Sequence, residues 1–114
     1  MLKNIIKMTL RQKQSQFVKL ICLLIVKAEE LGYELTFGDA HRSIEEATRL
    51  GKKNSVHTIR LAVDFNLFKD GVYLSSTKSH EPLGLYWESL SPICRWGGRF
   101  GDGNHYSFEH NGVK

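Results

Sequence analysis

The chain has 114 residues, enough for one domain with a thin hydrophobic core. Apolar residues make up 41% and charged residues 25%, ordinary proportions that exclude a disordered, collagen-like or repeat-built chain. A formal net charge of +4 favours polyanionic surroundings (nucleic acid, anionic lipid or bacterial cell wall), yet no long block of like charges marks a nucleic-acid tail.

Phe17, Leu20, Ile21, Leu24, Ala28 and Leu31 recur every three or four residues and predict a core helix starting near Thr9 and ending at Gly32. The run Phe17–Val26, preceded by Lys3, Lys7, Arg11 and Lys13, also has the look of a signal-peptide core. The helical period continuing to Leu31 favours the core helix, and the run is about half of the ~20 residues needed to span a bilayer. Cys22 and Cys94 are too few for a disulfide framework or a four-thiolate metal site and are predicted to be buried, reduced thiols. Leu35 and Phe37 predict a short strand. Ser43 with Glu46 three residues on is a capping-box signal for a short helix closed by Gly51.

Leu61–Phe68 predicts a strand with Val63, Phe65 and Leu67 on one face and Asp64 and Asn66 on the other. Lys69-Asp70-Gly71 signals a hairpin into Val72-Tyr73-Leu74. A helix is expected over Glu81–Leu90, with Pro82 tolerated in its first turn, followed by strands at Ile93–Trp96 and His105–Phe108. The fold class expected is α+β: a small antiparallel sheet with helices packed on one side, residues 1–114 forming a single domain.

Chemistry-bearing residues concentrate in Ser55-Val56-His57-Thr58-Ile59-Arg60-Leu61-Ala62-Val63-Asp64 and in Asp102-Gly103-Asn104-His105. A catalytic zinc takes three nitrogen or oxygen ligands and keeps a fourth position for water, and His57, Asp64 and His105 meet that requirement. No His-Glu-x-x-His segment is present, which excludes a thermolysin-like site. Spacing alone is a weak signal, since solitary histidines usually serve as hydrogen-bonded structural residues.

The order of the two clusters resembles the D-alanyl-D-alanine metallopeptidases, which group with lysostaphin-type enzymes and the hedgehog signalling domain. The nearest likeness is to phage endolysins that act as L-alanyl-D-glutamate endopeptidases. Their pattern, Ser-x-His-x-x-Gly-x-Ala-x-Asp followed by an acid, two residues and His, is matched by Ser55, His57, Ala62, Asp64, Asp102 and His105. Arg60 stands where the pattern has glycine, which bears on pocket shape, and the surroundings of His105 beyond Tyr106 and Glu109 are unassigned.

The resemblance implies a hedgehog/D-Ala-D-Ala-peptidase-like fold with Zn2+ held by His57, Asp64 and His105. Asp102 would shuttle the proton between water and leaving amine, and Arg42 would stabilise the developing oxyanion. Ser55 and Tyr106 would contact substrate. Trp96 and Phe100 are further candidates for the groove, although Trp96 reads better as core. His41, His80 and His110 receive no role. The implied partner is the peptidoglycan stem peptide, with no nucleic acid, no stable membrane insertion and a monomeric state. The expected location is the cytoplasm of a host or producing cell, with action on the wall after release.

The alternatives are a D-alanyl-D-alanine carboxypeptidase on the same site and a catalytically inactive zinc-containing wall-binding module. A His-Asn-His nuclease, suggested by basic charge and Asn104-His105, needs a helix after its second strand, for which residues 106–114 leave no room.

Overall fold

The computed structural model describes residues 7–114, so Lys3 lies outside the described residues. Helix α1 spans Leu10–Glu30. Thr9 caps it: its hydroxyl accepts the Gln12 N–H while the Gln12 side chain accepts the Thr9 N–H. Gly32 follows with φ 84°, a conformation that favours glycine. Phe17, Leu20, Ile21, Leu24 and Ala28 are buried, as the periodicity predicts, whereas Leu31 stays partly exposed. Cys22 is exposed, because its 100° step from Ile21 carries it off the apolar stripe; the expectation of two buried thiols holds for Cys94 alone. Burial pushes the Cys94 thiol up to about 12.

Strands β1 (Glu34–Phe37), β2 (Ala62–Lys69), β3 (Val72–Leu74), β4 (Cys94–Trp96) and β5 (His105–Phe108) form one antiparallel sheet. The order is β1-β2-β5-β4, with β3 pairing the far end of β2. Asp70 and Gly71 both take positive φ in the β2–β3 turn, as a two-residue hairpin requires. Strand β2 organises the molecule. It pairs β1 along one edge and shares the other between β5 at its start and β3 at its end.

Register then decides which face each side chain takes. Val63 sits opposite Tyr106, and both enter the core; Asp64 sits opposite His105, and both point to the other face. On the core face α1 meets α3 (Glu81–Leu90) through the edge-on pair Phe17–Trp87, while Phe108 of β5 stacks on Trp87. Each such large apolar side chain contributes about 1.5–3 kcal/mol on burial.

Helix α2 (Ile44–Arg49) is capped by Ser43, whose hydroxyl accepts the Glu46 N–H. The expected capping box is only half formed, because the Glu46 carboxylate turns to Arg49 instead. Three single turns of 3-10 helix complete the chain: Val56–Ile59, Lys78–His80 and Gly97–Phe100. Among the described residues no helix is long and apolar enough to cross a membrane.

Candidate metal centre

Three elements converge on the face of the sheet opposite α1 and α3. Asp64 comes from β2, His105 from β5, and His57 from the 3-10 turn just before β2. One ligand atom from each lies within 4.8 Å of the other two. His57 Nε2 stands 3.4 Å and His105 Nδ1 3.3 Å from Asp64 Oδ1. That oxygen is buried and has no hydrogen-bond partner among the described residues. Burial by itself raises the Asp64 carboxyl; the neighbouring His105 and His57 imidazoles outweigh it and hold the group at about 2.

The arrangement suits a divalent cation. The second nitrogen of His57, Nδ1, lies 2.7 Å from the Ala40 carbonyl. A carbonyl only accepts, so Nδ1 carries the hydrogen and Nε2 turns its lone pair toward Asp64. In that tautomer the Asp64 oxygen and the His57 lone pair repel unless a cation, a proton or a metal ion, lies between them. The donor set, two nitrogens and a carboxylate, is that of open zinc sites.

The surroundings are built from backbone. Ser55 caps the 3-10 turn, its hydroxyl accepting the His57 N–H at 3.1 Å, which orients the ligand at the cleft wall. The stretch from Gly38 to Arg42 runs beside β2: Gly38 N–H donates to the Asp64 carbonyl at 2.8 Å, and Asp64 N–H donates to the Asp39 carbonyl at 2.7 Å. A Cβ at Gly38 would crowd the Asp64 Cβ at 3.2 Å. Arg42, only 8% exposed, donates to Asp39 Oδ2 at 2.9 Å and is thereby aimed along the wall of the same cleft. Asp102 also lines the cleft, exposed, its own carbonyl accepting the His105 N–H at 3.1 Å. The cleft holds about 1010 Å³, at the upper end for ligand pockets, and Lys52, Lys53 and Lys114 stand along it.

The expectation that Tyr106 contacts substrate is corrected. Its place one residue after His105 puts it on the opposite face of β5, fully buried, with its hydroxyl 2.8 Å from His80 Nδ1. That contact also supplies a setting for His80, which the sequence left without one. Trp96 is core, whereas Phe100 is half exposed, lies in the cleft and meets the His105 ring edge-on at 5.7 Å.

Arg60 does not enter the metal cleft; it caps the 3-10 turn at φ 60° and lines a separate apolar groove beside α1, as does His41. A left-handed residue at this point explains why glycine suits the pattern, and arginine tolerates it at a cost of roughly 1–2 kcal/mol. Glu109 and His110 belong to the C-terminal turn: Glu109 receives the Gly112 N–H, and His110 Nδ1 meets Lys13 Nζ at 3.1 Å. Two contributors escaped the sequence reading. Asp39, which seats Arg42, was legible in principle as an acid three residues before an arginine. The Ala40 carbonyl, a backbone atom, left no side-chain signal.

The fold and site define an α+β domain with a metal-competent two-histidine, one-aspartate centre at one end of its sheet. A scan of the sequence against family models and a search of curated proteins both gave no match. Among solved structures, the chain is similar to the crystal structure of Serratia marcescens L-Ala D-Glu endopeptidase ChiX. The TM-score is 0.67 at 21% identity, with 88% of this chain and 83% of that one covered. The two chains share a fold.

Proposed function

We propose that this protein is a zinc-dependent peptidoglycan peptidase that hydrolyses the L-alanyl-D-glutamate bond of the stem peptide. The observation that carries the reading is the meeting of His57, Asp64 and His105 in one cleft whose walls bear Arg42 and Asp102. The shared fold with an enzyme described as an L-Ala D-Glu endopeptidase supports the choice of bond.

Zinc, held by His57 Nε2, Asp64 Oδ1 and His105 Nδ1, would supply Lewis acidity toward water and the scissile carbonyl. The chain supplies the rest. Asp102 accepts a proton from the attacking water and returns it to the departing amine of D-glutamate. Arg42, pre-aimed by Asp39, donates hydrogen bonds to the oxygen on which negative charge develops. Ser55 holds the His57 backbone in place and forms part of the wall. Lys52, Lys53 and Lys114 attract the carboxylates of the stem peptide. The protein acts as a monomer of phage-endolysin type, reaching the wall from the cytoplasm of an infected or producing cell once the membrane is breached.

Purified sacculi incubated with zinc-loaded protein and resolved by mass spectrometry test the proposal. The expected products are peptides with a new N-terminal D-glutamate and glycan strands whose peptide branches are cut back to L-alanine. Loss of single D-alanines would assign a carboxypeptidase instead. No cleavage by protein shown to hold zinc would refute the enzyme reading.

A further inference from the structure

Resting on the metal centre proposed above, we infer that Trp96 is a positioning residue that holds the loop carrying Asp102 and His105, with its ring set by a slot between two glycines. Trp96 sits on β4, is buried, and takes no part in lining the cleft. Its indole Nε1–H donates to the Gly103 carbonyl at 2.7 Å, midway between Asp102 and His105. The other side of the same residue is held too, because the Gly103 N–H donates to Thr77 Oγ1 at 3.2 Å. Both peptide groups flanking Gly103 are thus tied to groups outside the loop.

The ring that makes this contact has no freedom to drift. Gly84 of α3 and Gly98 of the following turn stand against it, and a Cβ on either would collide with indole atoms. Arg99 lies 5.8 Å from the ring centroid and is itself paired with Glu88 of α3. A further short contact seats the loop from below: a Cβ at Gly97 would come within 2.7 Å of His105 Cβ. Asp102 is exposed and has no side-chain anchor of its own among the hydrogen bonds of the described residues. Its position in the cleft therefore depends on what holds Gly103, and a displacement near 1 Å is enough to impair catalysis.

The other buried indole provides a control. Trp87 Nε1–H also donates to backbone carbonyls, Arg95 at 3.0 Å and Ser107 at 3.2 Å, but these lie on β4 and β5 and not on the loop. The experiment compares Trp96→Phe, which keeps a ring and removes the N–H, with Gly84→Ala, which pushes the ring from its slot, and with Trp87→Phe. Three quantities are measured on each: zinc affinity by chelator competition, melting temperature of the metal-free protein, and kcat and KM on a muropeptide. Trp96→Phe and Gly84→Ala are expected to weaken zinc affinity about 10-fold and to lower kcat by a similar factor with KM nearly unchanged. Trp87→Phe is expected to lower the melting temperature while leaving zinc affinity at the parent value.

Parent-like zinc affinity and kcat in Trp96→Phe would overturn the inference, as would equal losses of zinc affinity in both tryptophan variants. Should Trp96→Phe fail to fold, Gly84→Ala decides by the same two readouts. A parent that binds no zinc overturns the metal centre and this inference together. A parent that binds zinc beside variants that bind it equally well removes the inference alone.

Discussion

Replacing Tyr106 by phenylalanine deletes one oxygen from the interior and separates a structural role from a substrate-binding one. The ring keeps its place, 6.0 Å from Phe65 and edge-on to Trp87 at 6.4 Å. What disappears is the contact between the hydroxyl and His80 Nδ1, 2.8 Å long, between residues 0% and 2% exposed. The imidazole nitrogen left behind has no access to water, so the cost is the desolvation of an unpaired polar atom, about 1–3 kcal/mol. For a chain of this length each kcal/mol shifts the melting temperature by about 4 °C, which puts the expected drop at roughly 4–12 °C. Thermal unfolding of the metal-free protein by circular dichroism measures it, and steady-state kinetics on a muropeptide should show KM unchanged. A tenfold rise in KM with an unaltered melting temperature would place Tyr106 in the groove and refute the argument from strand alternation.

The remaining predictions concern protons, metal and charge. Burial lowers the His80 pKa from 6.5, with the charge of Asp102 partly opposing. The unfolded chain therefore takes up a proton that the folded one resists, so stability is complete above about 6.5 and declines as pH falls below it. Urea midpoints from pH 8 to 5 should fall more steeply for the parent than for His80→Gln, and parallel curves would contradict the assignment. Zinc at 100 times its dissociation constant should stabilise the protein by about 2.7 kcal/mol, reversibly with a chelator, and Asp64→Asn should lose most of that gain. Asp102→Asn should retain zinc while kcat falls by about 10²–10⁴, measured on muropeptides; loss of zinc with activity would mean Asp102 is not the proton carrier. Lys52→Glu with Lys53→Glu should raise KM at low salt and flatten the decline of activity with added salt, and an unchanged salt profile would show those cations to be incidental.

Much of the framework follows from local pattern. The apolar positions of α1 recur at helical spacing because one stripe must meet the sheet, and five of the six chosen are buried. The alternation of Val63, Phe65 and Leu67 with Asp64 and Asn66 is likewise a one-dimensional signal, since period two divides a strand between core and exterior. The 3-10 turn carrying His57 was not legible, because a single turn has too few residues to show a period. Tyr106 differs from expectation for a related reason: it adjoins His105 in sequence, whereas adjacent strand residues point to opposite faces.

The amino-acid order by itself determined the helices, the strands and the residue types able to hold a cation, because these depend on spacing along one chain. Only the tertiary structure decided that three distant side chains share one cleft, since that depends on Asp64 and His105 falling in register across β2 and β5. It also decided how His57 and Arg42 are aimed: the Ala40 carbonyl, the Ser55 cap and the Asp39–Arg42 pair act through contacts that backbone path and burial create. Proximity in space has no periodicity in sequence, and a carbonyl oxygen, common to every residue, leaves no letter to read.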